Sequence, residues 1–75
     1  MQKSIEYKGY VVRADSYQWT GSIWDAHYWI EVQQSGEHVR EVVHAAFRET
    51  SDSACNAALV RGLQYVDLAL PEVSH

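Results

Sequence analysis

From Ser4 to Phe47 apolar and polar residues alternate with a period of two, as in half-buried strands with one face on a core, and beyond Thr50 the period changes. Lys8-Gly9 is either a tight turn pairing Tyr7 with Tyr10 and Ile5 with Val12, or a glycine bulge within one long strand. Gln18 to Ser22, containing Thr20-Gly21, reads as the second connection and Ser35-Gly36 as the third. Four strands are expected, near residues 4–7, 10–16, 23–34 and 37–48.

The third and fourth strands suggest their own register. Trp24, Ala26, Tyr28, Ile30 and Val32 share one face of the third, and Val39, Val43, Ala45 and Phe47 share one face of the fourth. A two-residue Ser35-Gly36 turn sets even residues opposite odd ones, so that Trp24 faces Phe47, Ala26 faces Ala45, Tyr28 faces Val43 and Val32 faces Val39. Glu41 is the misfit in this scheme and is assigned to the rim.

Thr50-Ser51-Asp52-Ser53 is a run of helix-capping residues whose side-chain oxygens can accept from the free N–H groups of a first turn. Cys55, Ala58, Leu59, Gly62, Leu63, Val66, Ala69 and Leu70 then form one stripe, with Asn56, Arg61, Gln64 and Asp67 outside it, and Pro71 ends the helix by residue 70. Ala58 and Gly62 permit close approach to bulky sheet residues such as Trp24 and Tyr28. An apolar helix stripe and an apolar sheet face bury each other, which predicts an α+β fold: a four-stranded antiparallel meander sheet with one C-terminal helix on one face.

Lys8-Gly9-Tyr10, Phe47, the Thr/Ser cap and the alanine-rich helix give the chain a spacing that resembles short uncharacterised bacterial proteins built as a strand meander followed by one C-terminal helix. The resemblance implies that architecture and carries no activity, cofactor or site residue with it.

Seventy-five residues suffice for one domain, expected over residues 1–71, with residues 72–75 as a frayed tail. The single Cys55 excludes an intramolecular disulfide and fits a reducing compartment. No apolar run is long enough for a membrane-spanning helix and no signal-peptide pattern is visible, so a cytoplasmic location is expected. A formal net charge of −4 disfavours long-range attraction to phosphate backbones.

Candidate chemistry falls on the outer sheet face, where the register above sets four groups of side chains together: Arg13 with His27 and His44, Val11 with Trp29 and Val42, Glu31 opposite Arg40, and Gln33 opposite His38. An uncovered Trp flanked by two valines either marks a contact surface or stiffens the sheet through cross-strand pairs. His27 and His44 as cross-strand neighbours, with Asp25 nearby, supply too few ligands for an ordinary zinc site, and Cys55 falls on the buried helix stripe. No nucleophile is set beside a base, no glycine-rich phosphate loop occurs, and neither an enzyme nor a cofactor is expected. The expected function is a small protein-interaction or self-association module, able to form a homodimer, with Trp29, Val11, Val42, Arg13, His27, His44 and Arg40 as binding residues. The alternative is a weak single-stranded nucleic-acid binder that stacks bases on the same face.

Overall fold

The chain reverses first at Lys8-Gly9, where both residues take positive φ, 54° and 87°. Two successive left-handed residues make the tight hairpin turn whose twist matches that of the flanking strands, and glycine supplies one of them without steric cost. The computed structural model describes residues 1–72. In it β1 (Gln2–Tyr7) and β2 (Tyr10–Thr20) pair antiparallel over six unbroken rungs, with Tyr7 opposite Tyr10 and Ile5 opposite Val12. The hairpin reading is therefore the correct one. The expected frayed tail lies outside the described residues except for Glu72.

β3 (Ile23–Val32) and β4 (His38–Arg48) complete one antiparallel sheet of order β1-β2-β3-β4, and α1 (Ser51–Ala69) covers one face, chiefly over β2 and β3. Thr50 caps the helix by accepting from the Ser53 N–H at 3.1 Å, and Leu70 ends it in extended conformation ahead of Pro71. Even residues of β2 and β3 point to the helix: Tyr10, Val12, Ala14, Ala26, Tyr28 and Ile30 are buried against Ala54, Cys55, Ala58, Leu59 and Val66. Gly62 is required by this packing, because a Cβ there would stand 2.5 Å from Val12 Cγ1 and 3.1 Å from Tyr28 Cδ1. Polar clamps fix β1 to the helix: Lys3 Nζ donates to Asp52 and Asn56, and Tyr7 Oη and Lys8 Nζ both donate to Asp67. No helix among the described residues is long and apolar enough to cross a membrane.

The β3–β4 pairing departs from expectation. β3 ends at Val32, and residues 33–37 form the connection, closed by the Val32 N–H donating to Glu37 O and the Gly36 N–H to Val32 O. Glu31 then faces His38, but Ile30 faces Arg40, so Val39 is an extra residue that flips the parity of all that follows. Tyr28 faces Val42 rather than Val43, and Ala26 faces Ala46, with residues 43–45 bulging opposite His27. Three expectations fall with that register. Phe47 is 42 % exposed and pairs with Asp25 on the open face, Val43 and Val39 are exposed, and Val42 and Arg40 turn to the helix side. Arg40 donates to Tyr28 Oη at 3.1 Å and lies over the Tyr65 ring at 3.9 Å.

Candidate functional site

β2 runs four residues further than the sequence pattern indicates, to Thr20, and this extension builds the site. Its odd residues face away from the helix, so Tyr17 comes to lie opposite Asp25. A bulge between Gln18 and Thr20 then sets Trp19 beside β4. On the other side of Asp25 the 43–45 bulge places His44 at φ 53°, a conformation that costs a non-glycine residue about 1 kcal/mol or more and persists only where its surroundings enforce it.

Asp25 is fully buried although no helix covers this face. Its Oδ2 accepts from Tyr17 Oη at 2.7 Å and from His44 Nδ1 at 2.5 Å. A carboxylate only accepts, so the ring proton of His44 sits on Nδ1 and Nε2 is the nitrogen left to act. Asp25 holds the Tyr17 hydroxyl above its ordinary pKa, because ionising the phenol would lose the bond and set two anions together. The second carboxylate oxygen, Oδ1, is buried without a hydrogen-bond partner among the described residues.

Rings roof this carboxylate. Trp19 meets His44 edge-on at 5.2 Å and Phe47 at 5.6 Å, while His44 and Phe47 lie nearly parallel at 6.1 Å. Tyr17 contacts His27 at 5.8 Å, and His27 contacts Trp29 at 5.4 Å. Six rings thus run across the open face, linked through Asp25, and Trp19 is the most exposed of them at 52 %.

Of the sequence-predicted binding residues, Trp29, Val11, Arg13, His27 and His44 do not lie on the helix-packed face, whereas Val42 and Arg40 do. Their neighbours also differ from expectation. Trp29 stands between Arg13 and Glu41, not between Val11 and Val42, and Val11 faces Glu31. His27 faces Asp15 on β2 and is not paired with His44. Glu31 takes Arg13 Nε at 2.8 Å and His38 Nε2 at 2.9 Å, and Arg13 above all holds its carboxyl below the usual range.

The set of Asp25, His27 and His44 does not converge, and among the described residues no three His, Cys, Asp or Glu side chains gather as metal ligands. Cys55 is buried in the helix core, where desolvation raises its thiol pKa. Chemically, the Asp25–His44 pair offers one oriented imidazole nitrogen among exposed rings. Tyr17, Trp19, Asp25 and Phe47 are absent from the predicted binding residues, the sequence making Asp25 only a neighbour of the two histidines and Phe47 a core residue. The signal available for three of them was a run of odd aromatic and acidic positions, Tyr17, Trp19 and Asp25, on either side of Gly21.

The chain matches no family model, and neither curated proteins nor solved structures include a significant match. These comparisons give no support to the resemblance to short bacterial proteins, and what the structure shows is the architecture alone, four antiparallel strands and one C-terminal helix.

Proposed function

We propose that this domain is a protein-interaction module whose contact surface is the open sheet face, centred on Trp19, His44 and Phe47. One observation carries the reading: two large aromatic side chains, 52 % and 42 % exposed, stand together on a sheet face that α1 does not cover. Exposed indole and phenyl surface in contact is what a partner removes from water, at about 25 cal/mol per Å², and Trp is enriched at interface hot spots. The Asp25 network beneath favours the same use, since it fixes Tyr17 and His44 and lowers the entropy that binding would otherwise cost. Self-association through the face is included in this reading.

Base stacking on the same rings is the second reading, favoured by Trp29 opposite Arg13. It is weaker because Arg13 is engaged by Glu31, and a net charge of −4 opposes a phosphate backbone. Molar mass measured across concentration and salt, with pull-down from a native lysate, tests both. Trp19→Ala is expected to weaken self-association or partner recovery by more than about 1 kcal/mol, with little change in monomer stability. Unchanged association in that variant removes the open-face reading, and Trp19-dependent oligonucleotide binding that falls steeply with salt replaces it with the nucleic-acid one.

A further inference from the structure

The chain's cations are distributed unevenly. Lys3 pairs with Asp52, Lys8 with Asp67 and Arg13 with Glu31, while Arg40 is held by Tyr28 and the Tyr65 ring. Among the described residues the remaining two, Arg48 and Arg61, have no carboxylate partner. Both line one groove of about 670 Å³ between β4 and α1, together with His44, Phe47, Ala57 and Val60. No Asp or Glu lines it. In a chain with ten acidic and six basic residues, a groove with two unneutralised guanidiniums and no carboxylate is a local reversal of sign.

The two arginines are also pre-positioned. Arg48 donates one N–H to Phe47 O at 2.7 Å, and Arg61 reaches from the helix to Ala45 O at 2.9 Å. Each guanidinium carries five N–H donors in a rigid fork, so one anchoring bond fixes its place and leaves donors for a carboxylate. The anchoring carbonyls are two residues apart on β4, about 7 Å along an extended chain, which is the spacing of alternate side chains on one side of an extended peptide. Because these carbonyls are taken, a ligand there docks through side chains and not by adding a strand.

We propose that this groove binds an acidic, extended segment of a partner protein, two alternate carboxylates meeting Arg48 and Arg61 and a neighbouring apolar side chain covering Phe47 and Val60. The proposal rests on the reading of the domain as a protein-interaction module, and it extends that surface around His44 and Phe47 onto the helix side of β4. Val60, half exposed on the helix, supplies apolar area that the fold itself leaves unused.

Fluorescence anisotropy with a labelled heptapeptide of alternating glutamate and leucine, against its lysine counterpart, tests it. The glutamate peptide binds and the lysine peptide does not, and added salt weakens the binding. Arg48→Gln with Arg61→Gln lowers the affinity at least about tenfold, as expected for lost charge-assisted bonds. Val60→Glu, which keeps both carbonyl caps and introduces a carboxylate into the groove, does the same with an unchanged melting temperature. Equal binding of the two peptides, no binding of the glutamate peptide at millimolar protein, or its full displacement by equimolar inorganic phosphate overturns the proposal. Trp19 does not line the groove, so Trp19→Ala is read on association and the arginine variants on peptide binding. Retained peptide binding with no Trp19 effect on association removes the open-face reading alone, and the converse removes the groove alone.

Discussion

The two faces of this sheet each contain a fully buried centre, and they bury it by different means. On the helix side Val12 and Ile30 are sealed by small residues of α1, which come close because Gly62 has no side chain to hold them off. On the open side Asp25 is sealed by the rings of its own sheet, brought over it by two strand irregularities, one at Trp19 and one at residues 43–45. Shape complementarity stabilises the first centre, and the second is held through one carboxylate oxygen, Oδ2, by Tyr17 and His44, while Oδ1 has no partner among the described residues. A sheet face without a second layer can therefore organise a small interior, provided bulges aim side chains that a regular ladder would send elsewhere.

The largest effect that follows from this contrast belongs to the helix side. Ile30→Ala should cost roughly 2–5 kcal/mol by chemical denaturation, as buried truncations do, with binding of the open face preserved in whatever fraction remains folded. A loss below about 1 kcal/mol would mean that Ile30 is not in a close-packed core.

On the open side the effect should reside in a pair. His44→Ala removes one of the two donors to a buried carboxylate and should cost about 1–3 kcal/mol, although the histidine itself is about half exposed. Asp25→Ala in the same background should cost less than it does alone, with a coupling energy above about 1 kcal/mol. Additive losses would show that the two side chains are neighbours without being partners.

Phe47→Ala sharpens the comparison further. A core phenylalanine costs about 3–5 kcal/mol to truncate, whereas this half-exposed ring should cost less than about 2 kcal/mol and act mainly on partner binding. Denaturation midpoints of the two variants Phe47→Ala and Ile30→Ala, measured side by side, order the faces directly.

The smallest effect is one of pH. Glu31 on the open side has its carboxyl pKa lowered mainly by the Arg13 hydrogen bond, so its contribution is present above the unfolded value and is lost as pH falls through the lower folded one. Arg13→Gln should flatten the dependence of stability on pH between about pH 5 and pH 3, where carboxylates titrate. An unaltered slope would show that the Arg13–Glu31 bond does not persist in solution.

What the sequence disclosed follows the same division. The Thr50 cap, the Pro71 stop, buried Cys55 and the close approach at Gly62 depend on local chemistry or on one unbroken period and are readable from the residues, whereas Lys8-Gly9 fits a turn or a bulge and the observed pairing decides for the turn. The β4 register depends on extra residues at Val39 and 43–45, and apolar side chains occur there at both parities, so the alternation fits either face. Glu41 was the legible trace: it fits no inward position, and the structure turns it outward beside Trp29. Taking Gln18 to Ser22 as a connection likewise hid Tyr17 and Trp19, because a strand continued through a bulge looks in sequence like the start of a loop.

The arginine bonds to Ala45 and Phe47 also bear on how strands could add to this sheet. A fibre grows because every sheet that joins it offers a fresh border to the next, which demands two receptive borders per molecule. Here β4 is kinked twice and two of its carbonyls are occupied by the chain's own guanidiniums, while β1 is regular along its length. Strand addition would therefore be easier at β1 than at β4, and two molecules joined through β1 would leave only the interrupted β4 borders exposed. Such an arrangement favours a pair over propagation.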